Sequence, residues 1–456
     1  MTSYYDSPEG QIHQGHVLSI LKAMPSQSVH MCVTSPPYWG LRDYKTPPQI
    51  WDAEEGCEHV WGDETISITS HEPSEHSTLD GGKGPRQKTT ESSSQFCQHC
   101  NAWRGSLGLE PTPELFVQHI VQIFREVRKV LRDDGTLWLN LGDSYAGGGK
   151  AGKNPELLKN HMMFGKPKSE YDQSIMTPPN KVPIGMKPKD LVGIPWMVAF
   201  ALRADGWYLR SDIIWHKPNP MPESVTDRPT KSHEYVFLLS KSQRYYYDAD
   251  AIKEPLSCPS DAVRDRSRIG NKHETAVGGN LIKRKKMEID MSSGRNKRSV
   301  WTIATHPFPE AHFATFPPKL IEPCILAGTS EKGCCPECGS QWVRVVEKTK
   351  SNQSNAAKAG TVIEGKGHPS SQVRENHDIR NGPCVESKTI GWEPSCACGK
   401  DPVPSTVMDI FGGAMTTAIV AYKHDRKFVM CELSKAYIDD IGIPRIERET
   451  SQLKLF

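Results

Sequence analysis

The sequence predicts an α/β fold built on a mostly parallel, Rossmann-like sheet, and two distant stretches carry most of that prediction. Residues 29–33 form an apolar run of strand length that stops at Thr34-Ser35-Pro36-Pro37-Tyr38. Residues 406–417 have the pattern of a strand, a glycine turn and a helix, and residues 427–432 that of a strand ending in Glu432. Strands that alternate with helices favour a parallel sheet covered by helices.

Other segments supply the remaining elements of such a fold. Apolar residues at helical spacing, with a cap-like start at Thr112, predict an amphipathic helix to about residue 131. The other predicted elements are helices at 16–21 and 191–205 and strands at 136–141, 208–215 and 235–240. A chain of 456 residues can hold one large core with insertions, or two domains.

The Ser-Pro-Pro-Tyr loop has the features of a ligand-binding strand end. Ligands of parallel α/β sheets bind at the carboxyl ends of strands, where this loop begins. Pro36 and Pro37 fix φ and lack amide donors, so carbonyl groups and the Ser35 hydroxyl would face a ligand. A planar molecule carrying an NH2 group would suit that edge, with Tyr38 as a stacking face. An ordinary exit from a strand would explain the same residues, because Pro and Ser are common in turns.

The glycine turn near the end of the sequence has the spacing of a nucleotide site. Glu432 follows Asp409 by 23 positions. In doubly wound folds, an acid about 20 residues after a strand, glycine turn and helix binds the ribose hydroxyl groups of a nucleotide. We therefore expect Glu432 to meet a ribose.

Both segments resemble motifs of the amino-methylating DNA methyltransferases, which methylate exocyclic nitrogens of cytosine or adenine. Ser-Pro-Pro-Tyr is similar to their catalytic motif, and residues 406–417 are similar to their S-adenosylmethionine-binding motif. The resemblance implies their Rossmann-like fold, and the catalytic loop preceding the cofactor turn implies a circularly permuted β arrangement. The implied catalytic residues are Ser35, Pro36, Pro37 and Tyr38. The implied cofactor-binding residues are Asp409, Phe411, Gly412, Gly413, Thr416 and Glu432, with His312, Phe316 and Pro317 lining the methionine pocket.

Three positions depart from the family pattern. Ile410 replaces the usual proline, Met415 the usual second glycine, and His16 the aspartate of the usual Gly-Asp pair. A side chain at Met415 is expected to crowd the cofactor or change the turn, because this position usually allows close backbone approach. These departures suggest an alternative, a DNA-binding protein that keeps the fold with weakened catalysis.

The resemblance favours cytosine N4 as the methylated atom, because the serine form of the catalytic motif mostly marks N4-cytosine enzymes. N6-adenine, mostly marked by an aspartate form, is the alternative. The target base would have to leave the duplex and stack, with Tyr38 as the expected platform. An RNA or protein amino-methyltransferase and a metal-ribbon interaction module are rivals from other classes.

The cysteines are grouped at spacings that predict two structural zinc sites rather than disulfides. The first cysteine set is Cys57, His59, Cys97 and Cys100, with His99 as an alternative ligand to His59. The second cysteine set is Cys335, Cys338, Cys396 and Cys398. Each set offers four protein ligands and leaves no open position for a substrate.

The resemblance implies double-stranded DNA as the partner, although the net charge is only +2 and a bare basic run is more commonly a solvated charged loop. Residues 261–300 hold eleven Lys and Arg against five Asp and Glu. The candidate DNA contacts are Lys217, Asn219, Arg228, Lys283, Arg284, Arg295 and Arg298. A cognate restriction endonuclease is a possible further partner. Neither a bilayer-spanning run nor a signal-peptide pattern is visible, so we expect a cytoplasmic protein without a membrane partner.

These segments together predict a catalytic core with insertions. The core comprises residues 1–44, 106–251 and 299–456. The first cysteine set pins an insertion at 45–105, and the second lies in a zinc-ribbon insertion at 330–400. A flexible loop is expected at 146–187 and a target-recognition region at 252–298.

Overall fold

The structure is a computed structural model that describes residues 3–44, 46–61, 95–147, 182, 185–254, 295–305, 315–350 and 385–453. The strands in these residues, numbered in chain order, are β1 (Tyr5–Ser7), β2 (Gly10–Gln14), β3 (Val29–Thr34), β4 (Gln49–Trp51), β5 (Trp103–Gly105), β6 (Leu131–Leu141), β7 (Tyr208–His216), β8 (His233–Ser240), β9 (Val300–Thr302), β10 (Val343–Lys350), β11 (Val385–Glu393), β12 (Thr406–Asp409) and β13 (Lys427–Glu432).

The helices of the same residues lie mainly between strands. They are α1 (Val17–Ala23), α2 (Pro113–Val130), α3 (Ile194–Ala204), α4 (Pro318–Gly328), α5 (Thr416–Lys423), α6 (Lys435–Tyr437) and α7 (Ile443–Leu453), with a π turn (Ile438–Gly442) between the last two and a 3-10 turn at Asp250–Ile252. None of the helices described is both long enough and apolar enough to cross a bilayer.

The main sheet has nine strands in the order β1-β2-β13-β12-β3-β6-β8-β7-β9. The neighbours from β2 to β6 pair in parallel, whereas β8 runs antiparallel between β6 and β7. Helices α1, α2 and α3 pack on one face, and α4, α5 and α7 pack on the other. The mostly parallel α/β fold predicted from the sequence is therefore confirmed.

The predicted elements of this core are present, and several others are not visible in the sequence pattern. Strands β1 and β2, helices α4 and α7, and the β10–β11 hairpin were not predicted. Helix α4 contains Pro323. Because a proline inside a segment usually argues against a helix, the sequence did not predict one there.

Two small antiparallel sheets lie outside the main sheet. Strands β4 and β5 pair over three residues each, from Gln49–Gly105 to Trp51–Trp103. Strands β10 and β11 form a longer hairpin with an irregularity between Val345 and Val346. Each small sheet lies next to one of the cysteine sets that the predicted insertions contain. The boundaries of these insertions remain predictions.

Some predicted features lie outside the described residues. They are His312, Lys283 and Arg284, most of the loop at 146–187, and most of the target-recognition region at 252–298.

Candidate active site

The two motif strands are neighbours in the sheet. Strand β12 pairs with β3 in parallel, with Val407 opposite Met31 and Met408 opposite Cys32. Both strands therefore end at the same edge, which we call the carboxyl edge. There the Thr34 hydroxyl donates a hydrogen bond of 2.6 Å to Asp409 Oδ1. A direct side-chain contact thus joins the residue before the Ser-Pro-Pro-Tyr loop to the residue before the glycine turn.

Asp409 is a buried junction between these segments. Besides Thr34, its carboxylate accepts hydrogen bonds from the Thr417 hydroxyl at 2.7 Å and from the Phe411 N–H at 3.0 Å. Burial raises the pKa of Asp409 to about 7, although these hydrogen bonds oppose the rise. Its side chain fixes the turn and is not among the cavity-lining groups, whereas the sequence suggested contact with the cofactor's methionine half.

Met415 is not among the residues that line the cavity, whereas the sequence led us to expect a side chain that crowds the cofactor or changes the turn. It adopts a left-handed conformation with φ of 57°, which costs a residue with a side chain about 1–2 kcal/mol. Its side chain is fully buried and points into the core, where a Cβ on Gly442 would lie 2.9 Å from Met415 Cγ. Gly442, on the π turn, therefore leaves room for the Met415 side chain.

Glu432 ends β13 at the same carboxyl edge. Its two carboxylate oxygens accept hydrogen bonds of 2.9 Å from the N–H groups of Gly413 and Ser434. Burial raises the pKa of Glu432, and these backbone donors oppose the rise. Since each carboxylate oxygen has a second lone pair, Glu432 can still accept hydrogen bonds from a diol.

One cavity adjoins both motifs. Its wall on the side of the glycine turn comprises Ile410, Phe411, Gly413, Ala414, Glu432 and Ser434. Ser35 and Pro37 of the catalytic loop line it, as do Gly15, His16 and Val17 from the β2–α1 connection. A further wall comes from the region around the first small sheet and comprises Tyr44, Thr46, Gln49, Trp51, Ser106 and Leu107. The cavity therefore combines apolar surface with a carboxylate and hydroxyl groups.

Several predicted cofactor residues lie behind the cavity rather than on its surface. The Thr416 hydroxyl accepts a hydrogen bond of 2.9 Å from Arg445, and Phe316 packs against the core on the α4 face. Gly412, Pro317 and Pro36 are also absent from the lining, whereas Thr315 belongs to it.

Tyr38 is held by a polar cluster that the sequence did not assign. Its hydroxyl lies 2.9 Å from Glu234 Oε2 and 3.0 Å from Asn140 Oδ1, and Ser35 Oγ lies at 3.3 Å. Burial, and then the Glu234 charge, raise the pKa of Tyr38 well above its usual range, so the phenol stays protonated. A Cβ on Gly142 would lie 2.5 Å from the Tyr38 ring, so this glycine is needed for the ring to pack there.

Asn140 and Glu234 lie at the ends of adjacent strands. Asn140 Nδ2 donates to Glu234 Oε2 at 3.3 Å and to the Tyr235 carbonyl at 3.1 Å. Glu234 also pairs with Lys217, whose ammonium group lies 4.3 Å from the centre of the Trp215 ring. In the sequence, Asn140 could have been recognised as a candidate site residue, because it is a polar residue just before the end of an apolar strand. Glu234 had no comparable local signal.

His16 faces the cavity as a neutral side chain. Burial and then Lys22 lower its pKa, and its buried Nε2 atom has no hydrogen-bond partner among the residues that the structure describes. The ring lies edge-on to Trp51, with the centroids 4.8 Å apart. The residue that replaces the family's aspartate thus lines the cavity, while its Nε2 atom is buried.

Each cysteine set converges on a point suited to a metal ion. The ligand atoms of each set all lie within 4.8 Å of one another. In the first set, Cys57 Sγ is 4.0 Å from Cys97 Sγ, and Cys100 Sγ is 3.4 Å from His59 Nδ1. A tetrahedral zinc ion with bonds of about 2.3 Å to sulfur requires edges of about 3.8 Å. His59, rather than His99, completes the first set.

One thiol in each set has a lowered pKa, as metal binding requires. Burial opposes the effect at Cys97, but the Cys100 N–H and then His59 lower its pKa to about 5. The hydroxyl and N–H of Ser340 lower the pKa of Cys338 to about 6. One thiolate is therefore favoured in each set, whereas hydrogen bonds with neighbouring thiols raise the pKa of Cys57 and of Cys398 to about 12.

The described candidate DNA contacts are engaged within the protein. Arg228 pairs with Glu223 at 2.6 Å, and Asn219 accepts a hydrogen bond of 3.0 Å from the Thr305 N–H. Arg295 and Arg298 both approach Glu254, but the Arg298 side chain remains 67% exposed. Arg298 is the most accessible cation of this described group.

Comparisons with known proteins identify the family to which the chain is similar. A family model described as DNA methylase, covering N6 and N4 methyltransferases, matches residues 29–336. The type II methyltransferase M.XycI of Xanthomonas campestris pv. cyanopsidis is 39% identical over 318 residues, which are 70% of this chain and 72% of that protein. M.Cfr9I of Citrobacter freundii, another type II methyltransferase, is 38% identical over 318 residues with the same two coverages.

A solved structure of the PvuII DNA methyltransferase (cytosine-N4-specific) aligns over 99% of this chain and 94% of its own, with 13% identity and a TM-score of 0.43. The family match covers the Ser-Pro-Pro-Tyr loop, and the two relatives cover most of the chain. The chain belongs to the N6/N4 DNA methylase family.

Proposed function

We propose that this DNA methyltransferase transfers a methyl group from S-adenosylmethionine to the N4 amino group of a cytosine flipped out of double-stranded DNA. The observation that carries the proposal is the shared cavity, which Ser35 lines on one side and Phe411 on the other. A catalytic loop and a cofactor turn must meet in this way for direct transfer between two bound reactants.

The cavity residues fit S-adenosylmethionine, whose ribose is a diol and whose other parts are a planar base and a charged methionine. Glu432 would accept the ribose hydroxyl groups, and Phe411 and Ile410 would cover apolar parts of the cofactor. His16, which also lines the cavity, would contact the adenine or the amine. The bound cofactor supplies an electrophilic methyl group.

Ser35 and Pro36 would activate the target. An amino group on an aromatic ring is a weak nucleophile, because its lone pair is delocalised into the ring. Hydrogen bonds from that amino group to the Ser35 hydroxyl and the Pro36 carbonyl favour a pyramidal nitrogen with an available lone pair. Tyr38 stacks on the base, and Glu234 and Asn140 fix the orientation of the Tyr38 ring.

Cytosine is the first candidate because the serine form of the catalytic motif mostly marks N4-cytosine enzymes in the family. A serine hydroxyl can accept a hydrogen bond from the amino group and donate one elsewhere, as it does to Tyr38 at 3.3 Å. Adenine N6 is the second candidate, since its amino group has the same hydrogen-bonding pattern.

The proposed reaction also implies the binding partners of the protein. Arg298, together with Lys217, Asn219, Arg228 and Arg295, would contact phosphate groups, supplying affinity without reading sequence. A type II relative such as M.Cfr9I suggests a cognate restriction endonuclease as a functional partner. Both cysteine sets would hold structural Zn²⁺.

The test is methyl transfer by the purified protein to unmethylated duplex DNA, followed by mass spectrometry of the nucleosides. N4-methylcytosine is the expected product. N6-methyladenine would replace the base assignment, and methylation of RNA or protein alone would remove the proposal. Sequencing DNA from cells that express the chain would identify the recognition site.

A further inference from the structure

The first cysteine set lies at the end of the small sheet that walls the cavity. The Cys97 N–H donates to the Ala102 carbonyl at 2.8 Å, and a β-bridge joins Cys97 to Trp61. The next residue, Trp103, is fully buried and belongs to β5. A sheet with three residues per strand cannot persist alone, so its geometry depends on what holds its ends.

A stack of rings leads from this sheet to the cavity. His119 of α2 is completely buried between Trp103, at 5.4 Å, and Trp51, at 4.7 Å. Trp51 and its neighbour His16 both line the cavity. Any shift of the sheet therefore moves a wall of the cavity, because close-packed rings transmit displacement.

Carboxylates on both sides fix the His119 ring. Its Nδ1 lies 2.9 Å from Glu110 Oε1, and its Nε2 lies 3.2 Å from Asp52 Oδ2. Gln118 of α2 also donates to Asp52 Oδ2, at 3.1 Å. Asp52 directly follows Trp51, so these contacts lock the end of β4 onto α2 of the core.

The segment that follows β5 also touches the catalytic loop. Glu110 accepts a hydrogen bond from the Gly108 N–H at 2.8 Å and one from the Trp39 indole at 2.9 Å. A Cβ on Gly108 would lie 3.1 Å from the Tyr38 carbonyl oxygen and 3.3 Å from Pro37 Cβ. Residues 106–108 therefore form both a wall of the cavity and a support for the catalytic loop.

The second cysteine set lies at the opposite edge of the main sheet. Arg132, near the start of β6, donates to the Cys338 carbonyl at 2.6 Å. His30, near the start of β3, lies 3.0 Å from the Gly339 carbonyl and accepts a hydrogen bond from the Thr406 N–H, also at 3.0 Å. No residue of the second set lines the cavity.

We infer that the metal ion of the first cysteine set is a determinant of cofactor binding, holding the wall formed by Trp51 and residues 106–107, whereas the metal ion of the second set is not. The inference rests on the proposed use of the cavity for S-adenosylmethionine. A structural metal ion would thus affect the affinity of the cavity for the cofactor without contacting the cavity.

The test compares Cys57→Ser/Cys100→Ser with the matched control Cys338→Ser/Cys398→Ser. Each variant should contain one zinc ion less than the wild type by mass spectrometry. Calorimetric titration with S-adenosylhomocysteine should show about tenfold or greater loss of affinity in the first variant and wild-type affinity in the second. A Cys57→His variant, which keeps a zinc ligand, should retain metal and affinity.

A second measurement avoids variants that fail to fold. Hydrogen exchange of the wild type should accelerate in residues 103–108 when a chelator removes zinc, and adding zinc back should restore protection. The inference would be overturned if the first variant lacked zinc but kept wild-type affinity, or if both variants lost affinity equally. It would also be overturned if the exchange of residues 103–108 did not change when zinc is removed. A wild type that retains zinc but binds no S-adenosylhomocysteine would instead contradict the proposed function.

Discussion

The two edges of the main sheet carry similar cysteine sets but opposite kinds of electrostatics. At the carboxyl edge, Asp409, Glu432 and Glu110 have pKa values raised by burial. At the opposite edge, where β3 and β6 begin, Asp133 pairs with Lys241, and that pairing lowers the pKa of Asp133. Buried carboxylates without cationic partners are costly, so they persist where a ligand or a fixed turn uses them. The difference assigns function to one edge and support to the other.

The largest effect on the methyl-transfer rate is expected from a comparison of Ser35 and Ser28, which flank the two ends of β3. Ser35→Ala removes an acceptor for the target amino group and should lower the methyl-transfer rate about 100-fold. Ser28→Ala removes only an exposed hydrogen bond to the Pro25 carbonyl and should leave the rate unchanged. Single-turnover kinetics on duplex DNA measures both. Equal rates in the two variants would contradict the assignment of Ser35.

A smaller effect is expected from the cluster that positions Tyr38. Glu234→Gln should lower kcat about tenfold with little change in KM for DNA, because the Tyr38 hydroxyl loses a charged partner. Tyr38→Phe breaks the same hydrogen bond while keeping the ring.

A double-mutant cycle on these two residues distinguishes positioning from a separate structural role. The combined variant should be no worse than the more damaged single variant. Additive losses would show that Glu234 acts independently of Tyr38.

The smallest effect is a contrast in pH dependence. Because the folded-state pKa of Asp409 is raised to about 7, its contribution to stability is complete below about pH 4 and disappears as the pH rises through 7. Asp133 has a lowered pKa, so its contribution is present above about pH 4 and disappears on acidification.

Asp409→Asn should therefore flatten the fall of the unfolding free energy between about pH 4 and 7. Asp133→Asn should cost little at neutral pH, because its side chain is 68% exposed. Urea unfolding at several pH values measures both. An unchanged slope in Asp409→Asn would show that another group titrates in this range.

Local patterns determined the fold class, the two motif strands, the main helices and the composition of both cysteine sets. Such features were readable because each depends on residues close in sequence, such as a proline pair after an apolar run or cysteines at short spacing. Those patterns could not give the residues that hold Tyr38. Asn140 and Glu234 meet only because β8 is inserted antiparallel beside β6.

Tertiary structure also decided how two unusual residues are used. Met415 looked like an obstacle in the sequence, but its side chain turns into the core because Gly442 leaves room there. Asp409 was assigned to the cofactor from the sequence, and that contact remains a prediction; the structure shows that its oxygens accept hydrogen bonds from Thr34, Thr417 and Phe411. The sequence alone determined which chemical groups the chain carries and which strands end in them. Only packing decided which groups face the cavity, because burial and hydrogen-bond partners come from residues far apart in the chain.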